Sequence, residues 1–173
     1  DSASCRLKAL NPAVEITTAT ERLTPDNALA LLEKCDLAVD ASDNYAARFA
    51  LADACAALRI PLVHGAVKGF IGQATVFAPH EGTACYRCLF PEETPMQEED
   101  TASAAGILGA HAGIIGCIQA LEALKALAGI PSPLRGGLLS ADTLRMRFTV
   151  IPLHPSPTCK CRNGGGGGAA MKN

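Results

Sequence analysis

The length, composition and charge of this chain describe an aliphatic globular protein. It has 173 residues, 49% hydrophobic and 18% charged, and its 15 basic and 17 acidic side chains give a net charge of −2. So small a net charge gives no indication of nucleic acid or an anionic membrane surface as a partner. A chain of this length can bury a sizeable core. We therefore expect one domain over residues 1–162 and a flexible Gly-rich tail over residues 163–173.

Four segments have the sequence features of helices. Thr24, Pro25 and Asp26 form a favourable helix start, with a cap, a first-turn proline and a negative charge near the positive helix end. The strongest helix, over residues 106–128, contains polar residues such as His111, which favours burial in the core over a membrane span. The predicted helices are residues 2–10, 24–33, 45–58 and 106–128.

Short apolar or β-branched runs predict the strands. Residues 37–40 form the run typical of a strand covered on both faces, and a later pair of runs predicts a hairpin turned through Ile71-Gly72. Because strands alternate with helices, we expect an α/β fold with a mostly parallel sheet and a C-terminal antiparallel portion. The predicted strands are residues 14–18, 37–40, 61–64, 66–70, 73–77, 137–141 and 146–151.

Four cysteines form two closely spaced pairs. Cys85 and Cys88 have the usual spacing of two ligands of one tetrahedral ion, whereas Cys159 and Cys161 are one residue closer. Together they would form a four-cysteine zinc clip that joins the middle of the chain to its tail. The alternative is that they are ordinary free or paired cysteines. The other four lie in helix-like patterns and favour the reducing cytosol over a secreted disulfide framework: Cys5, Cys35, Cys55 and Cys117.

Polar residues follow the predicted strand over residues 37–40, at the end where open α/β sheets bind ligands. Asp43 could hold Mg²⁺ near phosphates, and Arg48, about one helical turn on, could neutralise phosphoryl charge. Asp40 could bond backbone or sugar groups. The structural alternative is that Asp43 caps the helix, Arg48 is a surface residue and Asp40 only supports the fold. Further on, residues 91–103 are acidic and predict a solvated loop, or a lid or crossover.

Several ordered segments carry a family resemblance that covers nearly the whole chain. They are DLAVDASDN at residues 36–44 with Arg48, PLVHGA at 61–66, GQATVF at 72–77, CYRCLFP at 85–91, AGILG at 105–109, QALEALK at 119–125 and the closing cysteine pair. In this order they resemble the ThiF/MoeB/HesA family, the bacterial relatives of ubiquitin-activating enzymes.

The resemblance implies an adenylyltransferase. Members of the family bind ATP–Mg²⁺ and a ubiquitin-like sulfur carrier that ends in Gly-Gly. The carrier's terminal carboxylate attacks the α-phosphate, which gives an acyl-adenylate and pyrophosphate. The activated carboxyl later becomes a thiocarboxylate for thiamine, molybdopterin or cysteine-type pathways. The resemblance also implies a Rossmann-like fold and a homodimer, with the long apolar helix near the interface.

The resemblance assigns roles to individual residues. Asp43 matches the essential Mg²⁺/ATP aspartate of the family. Asn44 and Arg48 belong to the same motif and are expected to support it, and Asp40 is grouped with the cofactor-binding residues. The paired cysteines match structural Zn²⁺ ligands: Cys85, Cys88, Cys159 and Cys161.

Three features depart from the family pattern. The first N-terminal strands, the Gly-rich ATP loop, the acidic ribose ligand and the phosphate-binding Arg and Lys have no counterpart here, so these residues alone are not expected to complete an ATP site. The second cysteine pair is Cys-x-Cys, and Ala102 stands where many members carry a cysteine. We therefore expect the carrier-binding and Mg²⁺ half of an adenylyltransferase. The alternatives are a non-catalytic module that binds a carrier tail or another protein, and a structural dimer partner.

Overall fold

The computed structural model describes residues 2–91 and 106–161. The expectations for Ala102, for most of the acidic segment and for the Gly-rich tail lie outside these residues. The helices described are α1 (Ser2–Leu10), α2 (Ala28–Leu32), α3 (Tyr45–Leu58), α4 (Tyr86–Leu89) and α5 (Gly109–Leu127), and the strands are β1 (Ala38–Asp40), β2 (Leu62–Lys68), β3 (Ile71–Phe77), β4 (Gly137–Asp142) and β5 (Arg147–Pro152).

The five strands form one mixed sheet in the order β1-β2-β3-β4-β5. β1 and β2 are parallel, and each later neighbour is antiparallel. The expected α/β fold with a parallel and an antiparallel portion is confirmed, but among the described strands the antiparallel portion is the larger. The reason is that β2 is one continuous strand over residues 62–68. The chain then turns directly into β3, which pairs with β2 in the antiparallel direction.

The β2–β3 turn and the N-terminal segment differ from the prediction. The turn lies at Gly69-Phe70, where Gly69 has φ +56°, and not at Ile71-Gly72. The predicted strand over residues 14–18 is wrong, because β-branched residues form a strand only beside a neighbour and no described strand pairs with this segment. α2 is shorter than expected and begins after Asn27, whose Oδ1 accepts a hydrogen bond from Thr24 N at 2.8 Å.

The core lies on both faces of the sheet. On one face, α3 and α4 contribute Leu51 and Tyr86 to a cluster with Leu62 and Phe77. On the other face, α5 packs against β2 and β3. Of the four cysteines outside the two pairs, only Cys55 is buried. None of the helices in the described residues combines the length and apolar character that a membrane span requires.

Buried polar side chains fix α5 to the rest of the fold. His111 is 3% exposed, and its Nδ1 lies 3.0 Å from the Gly69 carbonyl oxygen, so the prediction of a core histidine is confirmed. At the other end of the helix, buried Glu122 pairs with Lys125 and accepts a hydrogen bond from the Ser132 hydroxyl. The first contact holds the start of the helix against the β2–β3 turn, and the second joins its later part to the segment that follows it.

Gly65 allows α5 to approach β2 closely. A Cβ atom at this position would lie 2.6 Å from Gln119 Oε1, and Gln119 is itself held by hydrogen bonds to two backbone carbonyls. We expect Gly65→Ala to destabilise the fold by about 1–3 kcal/mol, the usual range for overpacking. At this chain length that lowers the melting temperature by roughly 3–10 °C, which calorimetry measures.

Gly113→Ala is the matched control for this substitution. Gly113 lies in the interior of α5, and a Cβ atom there would meet nothing within 4 Å. Because alanine favours a helix interior over glycine, we expect this variant to be unchanged or up to about 1 kcal/mol more stable. Equal melting temperatures for the two variants would contradict the packing argument.

Candidate functional site

The segment between β1 and α3 forms the centre of the site. β1 ends at Asp40, and α3 begins after Asn44, whose Oδ1 accepts a hydrogen bond from Ala47 N at 2.9 Å. Asn44 is therefore the helix cap, and Asp43 is not. The Asp43 side chain is exposed, and its Oδ1 accepts a 3.3 Å hydrogen bond from Asn44 Nδ2. The carboxylate of Asp43 is thus available to a ligand.

Asp40 is a buried carboxylate with hydrogen-bond partners in the loop after β1 and in β2. It is 1% exposed. Its Oδ1 accepts hydrogen bonds from Ser42 N and Ser42 Oγ at 2.9 and 2.6 Å, and its Oδ2 lies 2.7 Å from His64 Nδ1. Burial raises the pKa of Asp40, but the hydrogen bonds from His64 and Ser42 outweigh it and hold this pKa below its usual value. Asp40 is therefore an ionised group that shapes the loop after β1.

Arg48 is held in place from the first turn of α3. Its side chain is only 11% exposed, and its Nε lies 3.7 Å from Asp40 Oδ2. Its Nη2 donates a 2.8 Å hydrogen bond to the Ser42 carbonyl, and the guanidinium lies over the Tyr45 ring, 5.6 Å from its centroid. Arg48 is thus not a loose surface residue. Its charge is fixed against the loop that carries Asp43.

α5 supports this strand end from the opposite face of the sheet. Gln119 Nε2 donates hydrogen bonds to the carbonyls of Asp40 and Val63, at 2.7 and 3.3 Å. These two carbonyls belong to the neighbouring parallel strands β1 and β2. One buried amide therefore holds the end of both strands at the position where the loop with Asp43 begins.

Two neighbouring cavities meet at this loop. A cavity of about 170 Å³ lies on the α3 side and includes Lys68 and Gln73 in its lining. A second cavity of about 230 Å³ includes Gly65 and Gly116 and reaches α5. The two cavities share Asp43, Arg48, Ala66 and Val67. Asp43 and Arg48 can therefore face two different ligands, or two parts of one ligand.

His64 and Gln73 belong to the site although the sequence analysis did not select them. His64 is 0% exposed and lies between Asp40 and Gln73, with its Nε2 3.4 Å from Gln73 Nε2. The signal that could have found His64 is the register of two parallel strands, because Asp40 and His64 are direct partners in β1 and β2. A search for histidines spaced along one helix does not detect such a pair.

The four paired cysteines come together away from this site, around a cavity of about 440 Å³. The sulfur atoms of Cys85, Cys159 and Cys161 all lie within 4.8 Å of one another. Cys88 adjoins them, with its Sγ 3.6 Å from that of Cys85. A hydrogen bond from the Cys85 thiol lowers the pKa of Cys161 and raises that of Cys85. These sulfur atoms could hold a metal ion.

α4 connects the cysteine cluster to the strand-end site. Arg87 donates two hydrogen bonds to the Asp53 carboxylate on α3, at 2.9 and 2.6 Å. Tyr86, which is 1% exposed, packs against the rings of His64 and Phe90 at centroid distances of 5.3 and 4.9 Å. Burial raises the pKa of Tyr86 to about 12, so its hydroxyl stays neutral.

The fold is similar to that of several solved structures. The crystal structure of E. coli MccB with MccA-N7isoASN matches 92% of this chain and 50% of that chain, with a TM-score of 0.72 and 14% identity. PaaA matches 88% of this chain and 54% of that chain, with a TM-score of 0.68 and 14% identity. At such identities the likeness concerns the fold alone.

Curated proteins resemble the chain in sequence. It is 42% identical over 159 residues to adenylyltransferase and sulfurtransferase MOCS3-2 of Zea mays, covering 91% of this chain and 33% of that protein. It is 42% identical over 160 residues to the sulfur carrier protein adenylyltransferase of Thermus thermophilus, covering 89% and 58%. It is 40% identical over 166 residues to the SAMP-activating enzyme E1 of Haloferax volcanii, covering 95% and 61%.

The chain spans between about a third and three fifths of the length of these relatives. Within that span, the ThiF family profile matches residues 1–163, which include the strand-end loop, both cavities and the cysteine cluster. The family expected from the ordered motifs is therefore confirmed, and this chain belongs to the ThiF family.

Proposed function

We propose that this chain supplies the carrier-binding and Mg²⁺ half of an enzyme that adenylylates the C-terminal Gly-Gly of a ubiquitin-like sulfur carrier. The product would serve thiamine, molybdopterin or related sulfur transfer. The observation that carries the proposal is the position of Asp43 and Arg48 on the shared wall of two cavities, at the edge where open α/β sheets bind ligands. The names of the Thermus and Haloferax relatives support this reaction.

The chemistry needs a substrate carboxylate and the α-phosphate of ATP held together at one point. Magnesium that accompanies ATP would neutralise phosphate charge, and the exposed Asp43 carboxylate is the group that would bind it. Arg48, held by Ser42 and Asp40, offers a fixed positive charge to the phosphoryl oxygens. Asn44 orients Asp43 through its amide. Because its own carboxylate is buried, Asp40 would contribute indirectly, by holding Ser42 and Arg48 in position.

The cysteine cluster fits a structural zinc ion. Zinc bound by four thiolates at about 2.3 Å places neighbouring sulfur atoms about 3.8 Å apart. The observed Cys85–Cys88 and Cys85–Cys159 sulfur distances of 3.6 and 3.5 Å are close to this value. We propose that Cys85, Cys88, Cys159 and Cys161 bind Zn²⁺ and hold the second cysteine pair against the loop before α4.

The outer face of α5 supports the proposed homodimer. Apolar side chains at helical spacing remain exposed there, at 38% for Ile114, 59% for Leu121, 65% for Leu124 and 60% for Leu127. A contiguous exposed apolar stripe is typical of a protein interface. The free thiols of Cys5, Cys35 and Cys117 are exposed, which supports the proposed location in the reducing cytoplasm.

Asp43→Ala tests the role of the strand-end aspartate. In a protein that also holds the family's Gly-rich ATP loop, we expect carrier-dependent ATP–pyrophosphate exchange to fall about 10²-fold or more, the usual cost of losing a group that stabilises transferring charge. The fold should be kept, because this side chain is exposed. Asp36→Ala, which changes an exposed aspartate outside both cavities, should exchange normally.

Two outcomes would count against this role. Full exchange by Asp43→Ala would remove Asp43 from the mechanism. Absence of exchange in the unchanged protein, with carrier binding retained, would instead favour the non-catalytic binding module.

Cys85→Ser tests the metal centre. We expect the variant to lose close to one bound zinc ion per chain, measured by elemental analysis. Loss of a structural metal costs several kcal/mol, so the melting temperature should fall by roughly 5–10 °C. Cys5→Ser, at an exposed position of α1, is the control and should keep both its zinc and its melting temperature. Unchanged zinc content in Cys85→Ser would defeat the assignment.

The dimer is tested by placing a charge on the α5 stripe. Leu121→Asp introduces a charge that would be buried in the interface, so we expect light scattering to show a change from dimer to monomer. The exposed Leu10→Asp on α1 should have no such effect. A monomeric unchanged protein would rule out the proposed assembly.

A further inference from the structure

Three polar side chains form a row across neighbouring strands beneath the α3-side cavity. Asp40 on β1 contacts His64 on β2 at 2.7 Å, and His64 contacts Gln73 on β3 at 3.4 Å. Asp40 and Gln73 are the two ends of the row. Gln73 lines the cavity together with Lys68, Asp43 and Arg48. The row therefore connects a buried charge to a group that a ligand can touch.

The row has a fixed hydrogen-bond direction. The Asp40 carboxylate is ionised and can only accept, so His64 must carry its proton on Nδ1. The Gln73 amide nitrogen lies 3.4 Å from His64 Nε2 and can only donate, so His64 Nε2 is the acceptor of this contact. With its nitrogen turned toward His64, Gln73 presents its Oε1 as an acceptor to the cavity. Among the described residues, no hydrogen bond to Gln73 Oε1 is found.

Packing prevents the His64 ring from rotating and so fixes the hydrogen-bond direction of the row. The His64 ring is 0% exposed and lies against the rings of Tyr86 and Phe77, at centroid distances of 5.3 and 5.9 Å. Rotation of the imidazole would break its contact with Asp40 and leave a buried charge with fewer partners, which costs several kcal/mol. The orientation of Gln73 is therefore set before any ligand arrives.

We propose that Gln73 binds the carrier's C-terminal tail by accepting a hydrogen bond from a main-chain N–H, and that His64 is the positioning residue that directs Gln73 Oε1 toward it. A glycine-ended tail offers no side chain, so it can be recognised only through peptide N–H and C=O groups and the terminal carboxylate. Lys68 and Arg48 suit the negative groups of the substrates. An acceptor such as Gln73 Oε1 suits a peptide N–H and does not suit a phosphate oxygen. This inference rests on the proposed function.

The test measures peptide binding by the full chain, without ATP chemistry. The probe is a short synthetic peptide that ends in Gly-Gly with a free carboxylate, titrated by NMR. We expect Gln73→Met, which keeps the length of the side chain but removes its hydrogen-bonding groups, to weaken binding about 3- to 10-fold. Ser140→Ala is the matched control, because Ser140 is the partner of Gln73 on β4 and lies outside both cavities. It should bind as the unchanged chain does.

A modified peptide identifies the hydrogen bond itself. N-methylation of each glycine nitrogen in turn removes one N–H donor. If Gln73 accepts from one of them, that methylation and Gln73→Met remove the same interaction, so their effects on affinity are non-additive. Additive effects at every position, or equal affinity of Gln73→Met and the unchanged chain, would overturn the inference and leave the proposed function intact. Failure of the unchanged chain to bind the peptide would defeat both.

The ring nitrogens of His64 give a second measurement, which begins with the unchanged chain. Nitrogen NMR of the unchanged chain should show His64 protonated at Nδ1 and unprotonated at Nε2. In Gln73→Met the Nε2 signal should shift, because it loses its hydrogen bond. A His64 proton on Nε2 would reverse the direction of the row, turn Gln73 Oε1 away from the cavity and overturn the inference.

Discussion

The buried charge of Asp40 is the constraint on which the rest of the site depends. A carboxylate that is 1% exposed destabilises a fold unless it is hydrogen-bonded and paired. Ser42, His64 and Arg48 supply these partners, and they belong to the loop, to β2 and to α3. Because the pKa of Asp40 is lowered in the fold, its contribution to stability is present above the ordinary value of 3.8 and is lost as the pH falls through the lower folded value.

The partners of Asp40 leave Asp43 exposed. Ser42 turns the chain back toward Asp40, and Asn44 caps α3 by accepting a hydrogen bond from its first turn. Asp43 lies between them and makes no contact that folding requires. The two cavities then approach Asp43 from the two faces of the sheet. The proposed adenylyl transfer would need its attacking and leaving oxygens in line, and two separate approaches to one carboxylate would suit two reactants better than a single cleft.

Local signals predicted the parts of the fold that depend on neighbours in sequence. α3 lies where it was predicted, over residues 45–58. A helix cap and the helical spacing of apolar residues can both be recognised from residues that are near one another in sequence. The cysteine cluster was also predicted, since ligand spacing is local. The strand over residues 14–18 was wrong because a strand needs a partner that its own residues do not specify.

Long-range packing explains the remaining differences. Two glycines lie near the β2–β3 turn, and the sequence does not say which one forms it. Gly69 does so with a positive φ, whereas Gly72 is needed because a Cβ atom there would lie 2.6 Å from His111 Nε2. The row of Asp40, His64 and Gln73 was missed for the same kind of reason, because strand register brings these residues together and their spacing along the chain does not.

The cysteine cluster and the strand-end site are joined through one turn of helix. Tyr86 lies between Cys85 and Cys88 in sequence, and its ring is part of the wall that holds His64 in place. Arg87 fixes the same turn to α3 through Asp53, and α3 carries Arg48. A metal ion bound by the cysteines would therefore stabilise, from outside the cavity, both the aromatic wall behind Gln73 and the helix that orients Arg48. With the proposed zinc ion bound, the turn of helix between Cys85 and Cys88 would link the stability of the chain to the geometry of its site.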